Sequence, residues 1–272
     1  MTKSWYRTRS KRGEARLTDI HPTALVEPAA ELGNGVSVGP FSVIEKNVII
    51  GEGTSVASHV LIASGTRIGK ECCVHHGAVL GTVPQDLKFG FEETTLEIGD
   101  RTVIREYATL NRGTKEHWKT VVGSDCLLMA YTHVAHDCVV GDHVIMANSA
   151  NLAGHVTIEE WATLGGLLAV HQFVRIGRHA FVGAGCKAMK DVPPYVLAMA
   201  EPLQFAGLNS VGLRRRGFAP ETLLLLKRAY RLLYRSKLNV SQALARIREE
   251  LPQTEEIQHI VRFIEESRRG II

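Results

Sequence analysis

The sequence predicts a mostly β protein in which a parallel β-solenoid is followed by an α-helical domain. The first observation is an aliphatic residue at nearly every sixth position from Ile20 to Val182. The second is a small or β-branched residue four positions after most of them, and the third is helical apolar spacing in the C-terminal part. Neither an α-helix nor an alternating strand has a period of six, so this period indicates a coiled repeat. We expect a flexible basic extension over 1–17, a solenoid over 18–194 and a helical domain over 195–272.

The composition fits a thin, repetitive core. Of the 272 residues, 45% are hydrophobic but only 6% are aromatic, and 25 are glycine. A narrow interior takes small and branched side chains more readily than large rings. The net charge of +4 is compatible with an acidic partner but is too small to indicate nucleic acid, so no nucleic-acid partner is expected.

Sequence features also predict where the protein resides. The N-terminal segment is basic and has no apolar stretch like that of a secretory signal. No segment approaches the roughly 20 apolar residues that span a bilayer. We therefore predict a cytoplasmic protein without a transmembrane segment. Four of the five cysteines occupy the small position of the repeat, which predicts packing and not disulfides.

A period of six is expected when three short faces form one triangular coil of 18 residues. The aliphatic residue then points inward, and the residue after it, often glycine, is expected to turn the corner. The period fails at Asp86, Glu92 and Glu116, which predicts two loops. Coils stack at the parallel-strand spacing of about 4.8 Å, so residues 18 apart lie above one another and roughly nine coils are expected.

The C-terminal part predicts three helices. Apolar residues recur at helical spacing over 221–235, 241–251 and 255–269, with Ser241 and Thr254 as candidate N-caps. Such a domain would cover one end of the solenoid. A run of three arginines, 214–216, precedes these helices and is either a solvated turn or a phosphate-binding cluster.

The candidate chemistry lies outside the aliphatic interior, which has no room for a substrate. Histidines cluster in consecutive coils, and the 18-residue stacking places His136 beneath Gly154. A base next to a free backbone N–H is the minimum for acyl transfer to a hydroxyl, because the base takes the hydroxyl proton and the donor stabilises the oxyanion. Gly154 leaves its amide open to a substrate, and Asp137 is placed to hold the His136 ring in one tautomer.

Three alternatives stay open at this point. The histidines are surface or subunit-contact residues, or they form a zinc site like that of the γ-class carbonic anhydrases. The His133-x-x-His136 spacing is weak support for zinc, since residues three apart on a strand point to opposite faces unless a corner intervenes. The third alternative is a β-helical scaffold without catalytic activity.

Nine segments carry a resemblance to a known family. They are GTVPQDLKF (81–89), EIGDRTVIRE (97–106), NRGT (111–114), VGSDCLLM (122–129), HVAHDC (133–138), LAGHVTI (152–158), AVHQFVRIG (169–177), KDVPPYV (190–196) and GLRRRGF (212–218). Together they resemble the UDP-N-acetylglucosamine O-acyltransferases, a family of hexapeptide-repeat acyltransferases, over about residues 18–272. The resemblance implies a left-handed coil and a homotrimer with sites in the grooves between subunits. The related N-acyltransferases would carry an extra N-terminal domain.

The resemblance also implies the reaction and its residues. An (R)-3-hydroxyacyl group would pass from acyl carrier protein to the 3-position of the glucosamine in UDP-N-acetylglucosamine, the first step of lipid A biosynthesis. His136 would be the general base, Asp137 its orienting partner and Gly154 the oxyanion donor. The implied substrate-binding residues are Gln85, Asp86, Lys88, His133, His155, His171, Gln172, Asn209, Arg215 and Arg216. Gln85 would meet the acyl 3-hydroxyl, and the two arginines would lie near the phosphates. No cofactor and no metal is implied.

Three positions depart from or refine the family pattern. Asn111 and Val211 stand where the enterobacterial members have His and Glu, so the nucleotide contacts at these two positions stay open. Whether the acceptor sugar carries a 3-hydroxyl or a 3-amino group also stays open. Ala184 matches the residue that sets acyl chain length. Because a glycine there leaves room for a longer chain, we expect a somewhat shorter acyl chain in this protein.

Overall fold

The computed structural model describes residues 18–272, and the extension expected over 1–17 lies outside these residues. Residues 18–272 form 28 strands and four helices. Eleven strands precede the first loop: β1 (Asp19–Ile20), β2 (Leu25–Val26), β3 (Glu31–Leu32), β4 (Ser37–Val38), β5 (Val43–Ile44), β6 (Ile49–Ile50), β7 (Ser55–Val56), β8 (Leu61–Ile62), β9 (Thr66–Ile68), β10 (Cys73–Val74) and β11 (Val79–Thr82). Three lie between the loops: β12 (Thr95–Ile98), β13 (Val103–Ile104) and β14 (Thr109–Asn111).

The remaining strands follow the second loop: β15 (Lys119–Val122), β16 (Leu127–Leu128), β17 (His133–Val134), β18 (Val139–Val140), β19 (Ile145–Met146), β20 (Asn151–Leu152), β21 (Thr157–Ile158), β22 (Thr163–Leu164), β23 (Ala169–Val170), β24 (Arg175–Ile176), β25 (Phe181–Val182), β26 (Lys187–Ala188), β27 (Val196–Met199) and β28 (Gln204–Leu208). The four helices are α1 (Ser210–Arg215), α2 (Pro220–Arg235), α3 (Val240–Glu250) and α4 (Glu255–Glu265).

The strands form the three walls of a left-handed parallel β-helix, as predicted. Up to β26, every third strand belongs to the same wall, and β27 and β28 then extend sheet A. Sheet A thus has eleven strands from β1 to β28, sheet B has nine from β2 to β26, and sheet C has eight from β3 to β24. The chain runs from A to B to C in each coil. We name the three corners the AB, BC and CA edges after the sheets that they join.

Strand register confirms the 18-residue stacking. Ile20 pairs with Val38, and His133 pairs with Asn151. The register widens to 30 residues across the first loop, 83–94, and to 24 residues across the second, 112–118. The two insertions therefore add twelve and six residues, so the period of six continues in phase on either side. Both loops leave sheet B and return to sheet C, which places both on the BC edge.

The core consists of the aliphatic residues of the repeat, which from Val38 onward are buried on all three walls: Ile44, Leu80, Ile104, Leu128 and Ile176 are fully inaccessible. Burial of one such side chain contributes about 1.5–3 kcal/mol. The small position takes valine, alanine, buried cysteine and threonine, and the cysteines are free thiols as expected. Buried threonines such as Thr102 donate to a carbonyl of the next coil, here Gly123 at 2.7 Å, so the hydroxyl is satisfied inside the apolar column.

The corners differ from the prediction in one respect. The glycine after the aliphatic residue does not turn the corner; the turn falls one and two residues later, and the third residue after the aliphatic one has a left-handed backbone, as His155 does with φ 61°. Gly51, which follows the aliphatic Ile50, instead lets the next coil pack closely, because a Cβ there would lie 2.6 Å from the Gly69 carbonyl carbon.

The C-terminal part begins with two strands before any helix. β27 adds to sheet A, and β28 returns antiparallel beside it, so the helices start at Ser210, later than the expected boundary at 195. The three longer helices lie where they were predicted. The N-cap of α3 is Asn239, which forms a capping box with Gln242, so the assignment of Ser241 was wrong. Over residues 18–272, no helix combines the length and the apolar character needed to cross a bilayer.

Candidate active site

The BC edge brings together most of the residues that the sequence singled out. The turn after β17 carries His136, and the turns after β20 and β23, stacked above it, carry Gly154 and Gln172. Loops 83–94 and 112–118 leave the same edge in the two coils below. A strand-to-strand turn here exposes polar side chains on the outside, while the aliphatic residue before it stays in the core. One edge of the prism therefore holds the candidate chemistry.

His136 and Asp137 form a hydrogen-bonded pair. His136 Nδ1 lies 2.8 Å from Asp137 Oδ2, and the His136 side chain is 14% exposed. An ionised carboxylate only accepts hydrogen bonds, so Nδ1 carries the proton and donates it. The other ring nitrogen, Nε2, is then unprotonated in the neutral ring and is available as a base. The expected orienting role of Asp137 fits this geometry.

Asp137 is buried with its carboxylate fully hydrogen-bonded. Oδ1 accepts from the Thr114 backbone N–H at 2.9 Å, and Oδ2 accepts from the Thr114 hydroxyl at 2.7 Å as well as from His136. Burial alone would raise the pKa of Asp137, but the hydrogen bonds from His136 and Thr114 outweigh it and lower the pKa to about 2. Asp137 is therefore an anion at neutral pH and stabilises positive charge on His136.

Gly154 lies against the His136 ring, as the 18-residue stacking predicts. A Cβ on Gly154 would be 2.5 Å from His136 Cε1 and 2.7 Å from Nε2. Within residues 18–272, no acceptor takes the Gly154 N–H. Other turns of the β-helix also leave the N–H at the equivalent position without an acceptor, for example at Gly166. What distinguishes Gly154 is the His136 ring, which packs directly against this turn position without a side chain.

Two further histidines flank this pair. The His155 ring stacks on Phe173 at 4.6 Å, and its Nε2 lies 3.9 Å from Asp137 Oδ2. Burial lowers the pKa of His155; the Asp137 charge opposes this, and His136 and His117 lower it further. His155 is thus neutral at pH 7, and its buried Nδ1 has no partner within the described residues.

His133 lies on the outer face of sheet B, just before the same turn. Its Nδ1 is 2.7 Å from the Thr109 hydroxyl. Burial lowers the pKa of His133, and a hydrogen bond with the Thr109 backbone opposes this. A corner does intervene between His133 and His136, so both side chains are on the outside. One coil above Gly154, His171 is half-buried and Gln172 is exposed, as a substrate-contact role requires.

Loop 83–94 holds the predicted Gln85, Asp86 and Lys88. Asp86 is half-buried and caps its own turn by accepting from the Lys88 N–H at 3.0 Å, whereas Gln85 and Lys88 are exposed. Leu87 between them is fully exposed, with 107% relative accessibility, and Phe91 is 79% exposed. Large apolar side chains displayed in this way on a loop indicate that another surface covers it.

The remaining predicted residues lie on other edges of the same chain. Ala184 is an exposed turn residue on the AB edge, between β25 and β26. Asn209 and Arg216 lie at the CA edge beside His179: the Asn209 amide donates to the His179 carbonyl at 3.0 Å, and Arg216 Nη1 lies 3.2 Å from His179 Nδ1. Asn209 is also the N-cap of α1, and Arg215 is exposed. Within one chain, these residues therefore lie on different edges of the prism from His136.

The CA edge is itself an aromatic column that secures α1. Trp161 and His179 stack with parallel rings, and Arg216 lies over the Trp161 ring at 5.0 Å. Burial, together with the charges of Arg216 and Arg178, lowers the pKa of His179 to about 3. His179 is therefore neutral and accepts the hydrogen bond from Arg216.

Sequence reasoning missed how two residues, Thr114 and Asn111, support the site. Thr114 belongs to loop 112–118, 23 residues before Asp137, and no spacing rule connects the two positions. Asn111 is buried, and its amide donates to Thr82 Oγ1 at 3.0 Å and to the Val83 carbonyl at 3.1 Å, at the root of loop 83–94. Its amide group therefore supports that loop. The break in the period at Glu116 and the NRGT segment (111–114) were the available indications that this part of the chain is special.

The site also contains three side chains that could act as metal ligands. His136, Asp137 and His155 each offer one ligand atom, and these atoms lie within 4.8 Å of one another. However, Asp137 Oδ2 already accepts from His136 and Thr114, so a zinc ion would have to displace both hydrogen bonds. The arrangement fits a base with its orienting carboxylate better than a ligand set.

Comparison with known families gives two matching profiles. The profile described as domain 2 of UDP-N-acetylglucosamine O-acyltransferase matches residues 191–272. The bacterial transferase hexapeptide profile, of six repeats, matches residues 29–64 and 119–154. The two profiles thus fall on the C-terminal part and on the β-helix respectively.

Individual relatives match along almost the whole chain. An acyl-(acyl-carrier-protein)–UDP-N-acetylglucosamine O-acyltransferase of Chlorobaculum tepidum is 57% identical, over 91% of this chain and 94% of its own. The enzyme of the same name from Thiobacillus denitrificans is 46% identical, over 94% of this chain and 100% of its own. The solved UDP-N-acetylglucosamine acyltransferase of Bacteroides fragilis superposes with a TM-score of 0.92 at 44% identity, covering 93% of this chain and 99% of the other. On this similarity, the chain is an acyltransferase and belongs to the family of UDP-N-acetylglucosamine O-acyltransferases.

Proposed function

We propose that this protein transfers an (R)-3-hydroxyacyl group from acyl carrier protein to the 3-hydroxyl of the glucosamine in UDP-N-acetylglucosamine, the first step of lipid A biosynthesis. The observation that carries the mechanism is the basic Nε2 of His136 beside the free N–H of Gly154. The names of the relatives support the two substrates.

The proposed reaction begins with the neutral His136. Its Nε2 takes the proton of the sugar 3-hydroxyl while that oxygen attacks the thioester carbonyl carbon. The negative charge that develops on the carbonyl oxygen is stabilised by the Gly154 N–H. The tetrahedral intermediate then collapses: the C–S bond breaks, the thiolate of the carrier takes the proton from His136, and the ester remains on the sugar.

The electrostatics of the dyad support this sequence of steps. When His136 accepts the proton it becomes a cation next to the buried Asp137 anion, which lies 2.8 Å away. Asp137 needs no reorganisation, since three hydrogen bonds already fix its carboxylate. A positioned general base contributes about 10²–10⁴-fold to the rate, and one oxyanion donor about 10²–10³-fold.

The distribution of the other predicted residues supports a homotrimer. Asn209, Arg215 and Arg216 lie at the CA edge and Ala184 at the AB edge, whereas His136 is at the BC edge. A groove between two parallel prisms brings different edges of two chains face to face. In such a groove the arginines of one subunit reach the phosphates of a nucleotide whose sugar lies at His136 of the other, and guanidinium groups match phosphate well. The exposed Leu87 and Phe91 supply an apolar contact between subunits.

The two proposed substrates also indicate the cellular compartment of the enzyme. Acyl carrier protein and nucleotide sugars are made in the cytoplasm, so the proposed function requires a cytoplasmic enzyme. Acyl carrier proteins are acidic, which suits a chain with a net charge of +4.

The test is a transfer assay with purified protein, 3-hydroxyacyl carrier protein and UDP-N-acetylglucosamine. We expect a product whose acyl group is released by mild alkali, as an ester is. Parallel reactions use the 3-amino analogue of the sugar nucleotide, whose amide product resists alkali. Turnover of the amino sugar alone would overturn the hydroxyl acceptor, and turnover of neither sugar would overturn the proposed function.

A further inference from the structure

We propose that Thr114 is a positioning residue for the catalytic pair, and that it holds the Asp137 carboxylate in the plane that orients His136. This inference rests on the proposed function for its kinetic consequence. Its structural basis is the two-point contact between one residue of loop 112–118 and the carboxylate of Asp137.

The contact involves both oxygens of the carboxylate. The Thr114 N–H donates to Oδ1 at 2.9 Å and the Thr114 hydroxyl donates to Oδ2 at 2.7 Å. Two parallel donors from one residue fix the rotation of the carboxylate about its Cβ–Cγ bond, as bidentate pairs generally do. Oδ2 is then directed at His136 Nδ1, which is 2.8 Å away.

The direction of the Thr114 hydroxyl is fixed by a further bond. Its oxygen accepts from the Glu116 backbone N–H at 3.2 Å. With an acceptor position of the hydroxyl used in this way, its proton is directed to the carboxylate. Thr114 is only 4% exposed and Asp137 only 1%, so water does not compete for either bond.

The opposite side of Asp137 is held as well. Its backbone N–H donates to the Thr120 hydroxyl at 2.8 Å, and its φ of 58° is the left-handed conformation of the corner. The backbone is therefore set by the β-helix, whereas the carboxylate is set by Thr114 together with the His136 ring that it has to orient. Without the Thr114 hydroxyl, the hydrogen bond that Oδ2 keeps within residues 18–272 is the one to the His136 ring, and His155 Nε2 lies farther away, at 3.9 Å.

Loop 112–118 also connects the pair to the loop that carries Asp86 and Lys88. The Lys115 N–H donates to Glu92 Oε1 at 3.1 Å, so the residue next to Thr114 is tied to loop 83–94. A displacement of that loop would be passed to Thr114 through one peptide unit. The geometry thus joins the proposed substrate loop to the orientation of the base.

The test compares Thr114→Val, which has the same shape without the hydroxyl, with Thr114→Ser, which retains the hydroxyl. Thr114→Val is expected to lower kcat about 10-fold with KM for UDP-N-acetylglucosamine within about twofold of wild type, because the base is misoriented and the sugar contacts are kept. Thr114→Ser is expected to recover most of the lost kcat. Unchanged kcat in Thr114→Val, or no recovery in Thr114→Ser, would overturn the proposal.

A matched control separates positioning from folding. Thr102→Val removes an equally buried hydroxyl, at the CA edge, that donates to the Gly123 carbonyl. Its melting temperature is expected to fall as in Thr114→Val while its kcat stays at the wild-type value. An equal loss of kcat in both variants would mean that Thr114 is merely structural.

A readout without substrate separates this proposal from the proposed function. The downfield proton resonance of His136 Nδ1–H, identified by its loss in His136→Ala, reports its hydrogen bond to Asp137. It is expected to shift upfield and broaden in Thr114→Val and to stay in place in Thr102→Val. An unchanged resonance would overturn the positioning role, whatever sugar the enzyme accepts. If the wild-type protein is inactive on UDP-N-acetylglucosamine but the resonance still shifts in Thr114→Val, the result contradicts only the proposed function.

Discussion

Substituting Gly154 by alanine adds one methyl group at the point where two coils of the BC edge meet. The backbone of Gly154 is not in the left-handed region, so alanine is accommodated without backbone strain. The new Cβ would, however, lie 2.5 Å from His136 Cε1 and 2.7 Å from Nε2. An ordinary carbon–carbon contact needs about 3.5–4.0 Å, so the ring must move by roughly 1 Å. The backbone N–H is retained, and the substitution therefore acts chiefly on the position of the base.

A displacement of 1 Å at a catalytic group costs on the order of 10²-fold in rate. We expect Gly154→Ala to lower kcat by about that factor, which corresponds to about 2.7 kcal/mol in the activation free energy. The assay is steady-state transfer from 3-hydroxyacyl carrier protein, with thermal melting to verify the fold. Gly166 is the matched control, since it occupies the same turn position at the AB edge and a Cβ there meets only the Asn148 carbonyl oxygen at 3.2 Å. Wild-type kcat in Gly154→Ala, or an equal loss in Gly166→Ala, would refute the reasoning.

Three further predictions concern stability, acyl length and assembly. The pKa of Asp137 is lowered from 3.8 to about 2 in the folded protein, so its contribution to the free energy of unfolding, about 2 kcal/mol, is complete above pH 4 and is lost as the pH falls through about 2. Denaturant titrations should show the gap between wild type and Asp137→Asn closing over that range; a gap independent of pH would contradict it. Ala184→Gly is expected to move the optimum of a hydroxyacyl ladder to longer chains, and an unchanged optimum would remove Ala184 as the length-setting residue. Light scattering of the wild-type protein is expected to give three times the chain mass of 29.9 kDa. The Leu87→Asp variant is expected to form smaller species on dilution. A monomeric wild-type protein would contradict a site between subunits.

Periodicity determined how much of the fold was predictable. A strict period of six specifies which residues face inward and which lie 18 positions above one another, and the stacking of Gly154 on His136 followed directly from it. The insertions at Asp86 and Glu116 were also recognisable, because charged residues interrupted an aliphatic series. Both loops keep the period in phase, which explains why the count could be continued across them.

The rest was not predictable because it depends on contacts that no period encodes. Thr114 reaches Asp137 only because loop 112–118 folds back on the BC edge. Asn209 was matched to a substrate contact, yet its side chain caps α1 and holds the His179 carbonyl, which depends on how the C-terminal part returns to the CA edge. The α3 cap was misassigned to Ser241 since two polar residues, Asn239 and Ser241, precede or begin the same apolar series, and only Asn239 pairs with a glutamine three residues later.

His136 as the general base is the central claim, and its most direct measurement is single-turnover acyl transfer by His136→Ala beside wild type, with the affinity for UDP-N-acetylglucosamine measured separately by calorimetry. The account predicts a rate at least about 10²-fold lower, with nucleotide-sugar affinity within about threefold of wild type. A variant that transfers the acyl group at a near-normal rate would contradict it.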